Sequence, residues 1–134
     1  MVVGEAMIVA GIGCKGGAST DAVLGAISAA LNSYAVNAAQ LDALATSKRK
    51  AAEPGIRGAA HTLALAVHAL DDDALRATQH LTLTHSSFSM AVAGVSSLSE
   101  AAALAASGPG SRLLGPRIAR NGVTCALATD GVIP

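Results

Sequence analysis

The sequence predicts a three-layer α/β/α sandwich built on a mixed sheet of roughly five strands. Three observations carry that prediction. Short apolar runs alternate with segments whose apolar residues recur at helical spacing. The last third of the chain closes on two strand-like runs flanking Arg120-Asn121-Gly122. Aromatic residues make up only 1% of a chain that is 51% apolar. Strand–helix alternation calls for parallel strands with helices on both faces, and a terminal hairpin adds antiparallel strands to them. A core of Ala, Val, Leu and Ile packs in thin layers. One domain spanning 1–134 is expected, with no internal repeat or linker, and it is long enough to bury a sizeable core.

Met7 to Ile12 reads as a buried strand that breaks into Gly11-Ile12-Gly13-Cys14-Lys15-Gly16-Gly17. Ser19-Thr20-Asp21 then start a helix through about Ser33, with Val23, Leu24, Ile27 and Leu31 at helical spacing. Asn37 caps a short turn through Gln40. Leu41 to Ala45 is the second strand, ending at Thr46-Ser47 and the basic run Lys48-Arg49-Lys50. Glu53-Pro54-Gly55 opens a second helix to about His61, since proline is accepted in a first turn. Leu63 to Val67 reads as strand three, and Asp71-Asp72-Asp73 open a short helix whose dipole they complement. Thr82 to Thr84 is strand or loop, and Ser86-Ser87 begin a helix that stops near Gly94. Ser97 and Glu100 have the spacing of a capping box ahead of Ala101-Ala102-Ala103-Leu104, and Gly108-Pro109-Gly110 ends that helix. Leu113 to Ile118 and Val123 to Ala128 form the closing hairpin.

Composition excludes several function classes. Nine basic and nine acidic residues leave no net charge, so no general attraction to polyanions is expected. Without aromatic platforms, single-stranded nucleic acid has nothing to stack on. The longest apolar run falls far short of a membrane span. The start of the sequence carries Glu5 and no basic region ahead of its apolar run, which argues against a signal peptide and for a cytoplasmic protein. Cys14 and Cys125 define neither a disulfide framework nor a zinc site, and His61, His68, His80 and His85 have no ligand spacing with them. No metal and no cofactor are expected.

Two segments carry chemistry. The glycine run between a strand and a helix gathers backbone N–H groups at a helix N-terminus, a geometry suited to phosphate or carboxylate; a plain tight turn would use the same glycines. Gly11-x-Gly13-x-x-Gly16 also matches a dinucleotide fingerprint. The acid that should follow the second strand is replaced by Thr46, Ser47, Lys48 and Arg49, which leaves an NADP-binding module of a small reductase as a minor alternative. At the second junction, Lys50 can pair with a carboxylate or a developing oxyanion, and Glu53 can accept a proton or orient water. A solvated Lys50 and a Glu53 that only complements the helix dipole is the plainer reading.

Taken in order, Gly11 to Gly17, Thr46 through Lys50 to Glu53-Pro54-Gly55, Ser97 to Leu104, and Gly122-Val123-Thr124-Cys125-Ala126 resemble the CobE family. That family is similar to the C-terminal domain of CbiG in cobalamin biosynthesis. The resemblance runs from about Met7 to Ala128. It implies a three-layer α/β fold and a role in building the corrin ring, with a precorrin or corrin intermediate as ligand and other pathway enzymes as partners. In two-domain relatives it implies opening of a ring-A lactone with release of acetaldehyde, a hydrolytic step. Three departures stand out. His85 occupies a position expected to hold proline, Ala52 replaces an acid beside Glu53, and Arg117 stands where lysine is common. Missing an acid and the second domain, the chain reads as a carrier or accessory factor more readily than as a lactone hydrolase. The candidate reacting pair is Lys50 and Glu53. The candidate ligand-binding residues are Gly11, Gly13, Cys14, Lys15, Gly16, Thr46, Ser86, Glu100, Arg117 and Thr124. A polycarboxylate macrocycle asks for such backbone donors and cations over an aliphatic floor.

Overall fold

A computed structural model describes residues 7–86, 90, 95 and 97–131. In chain order the elements are β1 (Ile8–Cys14), α1 (Thr20–Ser33), β2 (Ala43–Ser47), α2 (Pro54–Leu63), β3 (Val67–Leu70), α3 (Asp72–Ala77), α4 (Leu98–Ser107), β4 (Arg112–Leu113), β5 (Ile118–Arg120) and β6 (Val123–Thr129). Single 3-10 turns lie at Ala38–Gln40 and Gln79–Leu81. The strands order as β3-β2-β1-β6-β4, with β5 also paired to β6. β1 to β3 run parallel, and β6 is antiparallel to β1. β4 and β5 lie end to end along one edge of β6, so six strands make a sheet five ribbons wide.

Alternation along β1 sorts the layers. Ile8, Ala10, Ile12 and Cys14 pack with Val23, Ala26 and Ile27 of α1 and Ile56 and Ala59 of α2. Val9 faces the other way, with Ala43 and Ala45 of β2, against Leu75 of α3 and Ala101 and Ala102 of α4. All seven residues of β1 are buried, as a central strand covered on both faces requires. The three-layer mixed sandwich expected from the sequence is the fold observed.

The local signals for α1 hold at both ends. Ser19 caps it by accepting the Ala22 N–H at 3.0 Å, and the helix spans Thr20–Ser33. Asn37 likewise caps the turn at Ala38–Gln40, and Asp71 caps α3 through the Ala74 N–H.

Strand boundaries depart from the expectation in four places. β1 continues to Cys14, so Gly11 and Gly13 lie inside a strand and not in a loop. The second strand runs Ala43–Ser47, shifted toward the basic run. The third is not Leu63 to Val67. Leu63 closes α2, Ala64 adopts a left-handed conformation (φ 57°, ψ 42°), and β3 begins only at Val67. A continuous apolar run carries no periodicity to separate a helix end from a strand, and Leu63 and Leu65 pack on the core from a helix terminus. The hairpin is shorter than expected: Asn121 (φ 54°) and Gly122 (φ 78°) form the two-residue turn, but β5 spans only Ile118–Arg120. Thr82 to Thr84 is loop. Most of the helix expected from Ser86 to Gly94 lies outside the described residues.

Candidate crevice at the carboxyl edge of the sheet

Cys14, Ser47 and Leu70 end β1, β2 and β3 on one edge of the sheet, and the register sets Val123 and Arg120 at the level of Cys14. α1 and α2 depart from that edge. α4 returns to it: a Cβ built on Gly13 would lie 3.6 Å from the Ser99 nitrogen and 3.8 Å from Leu98 Cβ, so the α4 N-terminus sits over the end of β1. β1 is also where strand order reverses, with β2 and β3 on one side and β6 on the other. Open α/β sheets form their ligand crevice at such a switch point.

The glycine run divides at Cys14. A Cβ on Gly11 would stand 1.9 Å from the Ser99 carbonyl oxygen and 2.7 Å from the Ala103 nitrogen, so the backbone of α4 rests directly on the strand there. A Cβ on Gly13 would stand 2.6 Å from Thr124 Oγ1. These two glycines allow close packing of helix on sheet. Only Lys15, Gly16 and Gly17 form the exposed loop, with Gly17 at φ 86°. A dinucleotide fingerprint needs its first glycines in the turn after the strand. Here they are within it, and the NADP alternative loses its basis.

Around that loop the predicted residues gather. Glu53 Oε1 accepts the Gly17 N–H at 2.9 Å, clasping the β1–α1 loop to the β2–α2 junction. The Glu53 N–H donates to the Lys50 carbonyl at 3.0 Å, and the Lys50 N–H donates to Ser47 Oγ at 3.2 Å. Burial pushes the Cys14 thiol up, the Lys50 charge pulls it down and the Glu53 charge pushes it up again. Both charges are therefore felt at the last residue of β1. Thr46 is buried and donates from Oγ1 to the Ile12 carbonyl at 2.8 Å. Half-buried Thr124 donates to the Gly13 carbonyl at 3.3 Å. Both threonines tie strands together at the crevice floor.

Glu100, Ser86 and Arg117 stand apart from this group. The capping box is not formed: Ser97 makes no side-chain cap bond, and its hydroxyl and that of Ser99 are buried without a hydrogen-bond partner among the described residues. Glu100, fully buried, instead accepts the N–H groups of Leu83 and Thr84 at 2.8 and 2.9 Å on Oε1. Its Oε2 accepts the Thr84 hydroxyl at 2.7 Å and the Arg117 N–H at 2.9 Å. The capping-box spacing identifies the residue, but tertiary partners take its carboxylate. Half-buried Ser86 accepts the Met90 N–H on its carbonyl at 3.0 Å. Arg117 precedes β5, three residues or about 10 Å before the carboxyl edge. The arginine that the register brings to the edge is Arg120, beside Val123. Its place immediately before the Asn121-Gly122 turn was the available signal.

Against known proteins, the family model described as "Cobalamin synthesis G C-terminus" matches residues 8–128. The chain belongs to that family. Its fold matches the crystal structure of CobE, "a protein from the cobalamin (vitamin B12) biosynthetic pathway", at TM-score 0.88 and 34% identity, over 92% of this chain and 90% of that one. Cobalamin biosynthesis protein chiG from Agrobacterium tumefaciens str. C58 matches at TM-score 0.72 and 42% identity, over 91% and 97% of the two chains. A putative cobalamin biosynthesis protein G homolog from Sulfolobus solfataricus, 20% identical, shares the fold at TM-score 0.72; the match covers 94% of this chain and 37% of that one. No curated protein sequence matches significantly. The chain is a cobalamin biosynthesis protein of the CbiG C-terminal and CobE type.

In this cobalamin synthesis domain the basic run at the β2–α2 junction has divided duties. Arg49 pairs with Asp72 of α3 at 2.8 Å, an exposed bridge worth little by itself. Half-buried Lys50 has no carboxylate partner among the described residues. His61, His68, His80 and His85 are exposed. Among the described residues no group of three or more His, Cys, Asp or Glu could hold a metal, and no helix is long and apolar enough to cross a membrane.

Proposed function

We propose that this chain binds a precorrin or corrin intermediate at the carboxyl edge of its sheet, as a carrier or accessory factor of the pathway. One observation carries the reading: the exposed Lys15–Gly17 loop, Lys50, which has no carboxylate partner among the described residues, Arg120 and the N-termini of α1, α2 and α4 all lie at the edge where the strand order reverses. Helix N-termini and cations together favour anions, and a macrocycle with several carboxylate arms supplies them around an apolar ring. Each charge-assisted bond contributes roughly 1.5–3 kcal/mol, so three or four suffice for tight, salt-sensitive binding.

Glu53 supports the carrier reading over hydrolysis. One of its oxygens already accepts the Gly17 N–H, which makes it a loop clasp, and Ala52 supplies no second acid. The reading is tested by titrating the purified protein with metal-free and cobalt-containing intermediates while following visible absorbance. Saturable binding is expected, weakened about 10- to 150-fold in Lys50→Ala, as loss of one charge-assisted bond predicts. Unchanged affinity in a folded Lys50→Ala protein rejects this site. Affinity for NADP without affinity for a tetrapyrrole rejects the reading altogether.

A further inference from the structure

The edge ribbon of the sheet is broken where Glu100 meets it. The Leu114 N–H donates to the Leu127 carbonyl at 2.9 Å, and Ile118 pairs with Cys125. Five residues, Leu114 to Ile118, therefore oppose three, Cys125 to Leu127, and the two extra residues bulge out of the ladder. Bulges of this kind re-aim a side chain and recur beside binding sites.

This bulge is held from two elements. Tyr34, just past α1, lays its ring against Gly115, where a Cβ would come within 2.5 Å of the ring, and donates its hydroxyl to the Pro116 carbonyl. Glu100, from the first turn of α4, takes the Arg117 N–H. α1 and α4 belong to opposite faces of the sheet, so the bulge is pinned where the two helical layers meet at the edge. The same Glu100 carboxylate holds Leu83 and Thr84, which precede Arg117 by thirty-odd residues in sequence. Arg117 itself is half-buried, and among the described residues its guanidinium has no acid partner. A fixed backbone beneath an unpaired, partly desolvated cation is the arrangement of a preorganised anion contact.

We propose that Glu100 is a positioning residue: its carboxylate latches the 83–84 segment to the 115–117 bulge, and with Tyr34 it presents the Arg117 guanidinium, from a backbone about 10 Å short of the carboxyl edge, to a carboxylate arm that extends down the sheet edge from a ligand bound there. The ligand half of this inference rests on the corrin-binding reading above; the latch half does not. Its chemistry is specific to a carboxylate. Oε1 takes two N–H donors and Oε2 takes an N–H and a hydroxyl, so four donors converge on two acceptors. A glutamine has one acceptor oxygen and must turn its NH2 toward N–H donors on one side. Glu100→Gln can keep either the Arg117 N–H or the Leu83 and Thr84 N–H groups, and must release the other.

The test reads both halves on the full chain. Amide exchange by NMR in Glu100→Gln is expected to rise about tenfold or more at Arg117 or at Leu83 and Thr84, with Ala10 and Leu127 in the sheet unchanged, since one lost bond is worth about a factor of ten. Thr84→Val and Tyr34→Phe remove single donors from the latch and the bulge, and serve if Glu100→Gln fails to fold. Each should raise exchange at Arg117. Unchanged exchange at Arg117 and at Leu83 and Thr84 alike, in all folded variants, overturns the latch. Corrin affinity is then measured in Glu100→Gln (or Tyr34→Phe), Arg117→Ala and the double variant. Each single change should weaken binding about tenfold, and the pair no more than Arg117→Ala alone, because the positioning residue acts through the arginine. Additive losses overturn the positioning role. A loosened latch with corrin affinity untouched in both Arg117→Ala and Lys50→Ala overturns the binding reading and leaves the latch standing.

Discussion

Gly11 offers the sharpest test of how this domain is packed. Replacing it with alanine puts one methyl carbon 1.9 Å from the Ser99 carbonyl oxygen, 2.7 Å from the Ala103 nitrogen and 3.0 Å from Ala103 Cβ. Two of those neighbours are main-chain atoms of α4, which no rotamer change can move. Relief to ordinary contact near 3.5 Å requires α4 to lift by more than an ångström, and seven of its ten residues are buried. Overpacking of this kind costs about 1–3 kcal/mol and occasionally more. A rigid backbone obstacle belongs at the upper end, and the lower entropy of an unfolded alanine offsets about 0.4–1 kcal/mol. A net loss of about 2–3 kcal/mol remains, which for a chain of this size lowers Tm by roughly 6–12 °C. Gly16→Ala is the control. The nearest neighbour to its added methyl is Glu53 Oε2 at 4.0 Å, so the melt should stay within about 2 °C of the parent. Melting followed by far-UV circular dichroism, with urea unfolding as a second measure, reads both. If Gly11→Ala melts with the parent, the close approach of α4 to β1 is wrong, and the glycine is again available for a ligand.

Two further outcomes follow from the same geometry. Burial pushes the Cys125 thiol up to about 12 from 9.0, so folding favours its neutral form. That stabilisation is complete below pH 9 and is lost as pH rises toward 12. The stability gap between the parent and Cys125→Ala should therefore narrow by about 2 kcal/mol between pH 8 and 10.5 in urea titrations, and a constant gap refutes the buried thiol. Offered a lactone-bearing precorrin, the protein should bind it near stoichiometrically without turnover. Repeated release of acetaldehyde, abolished in Glu53→Gln, would make it a hydrolase and retire the carrier reading.

The sequence by itself determined the layers, the family and the helices that the described residues form at 20–33, 54–63, 72–77 and 98–107. Helix ends are local: Ser19, Asn37 and Asp71 each bond a backbone N–H two or three residues on, so their caps are written within a few residues of chain. The Asn121-Gly122 turn is local in the same way, since both residues tolerate positive φ. The placement of Lys50, Glu53 and the Lys15–Gly17 loop on one edge also follows from strand–helix alternation, because successive parallel strands end on the same side. Tertiary structure alone decided what each glycine and acid does. Gly11 and Gly16 read alike within a glycine run, yet one lies under the backbone of a helix eighty-odd residues away and the other has room for a methyl group, with only Glu53 Oε2 at 4.0 Å. Glu100 has the spacing of a capping box, but three tertiary backbone N–H groups and a hydroxyl take its carboxylate. Arg117 and Arg120 are three residues apart, and only the register of β5 on β6 shows which reaches the carboxyl edge. Those decisions depend on contacts between segments far apart in the chain, which no local pattern encodes.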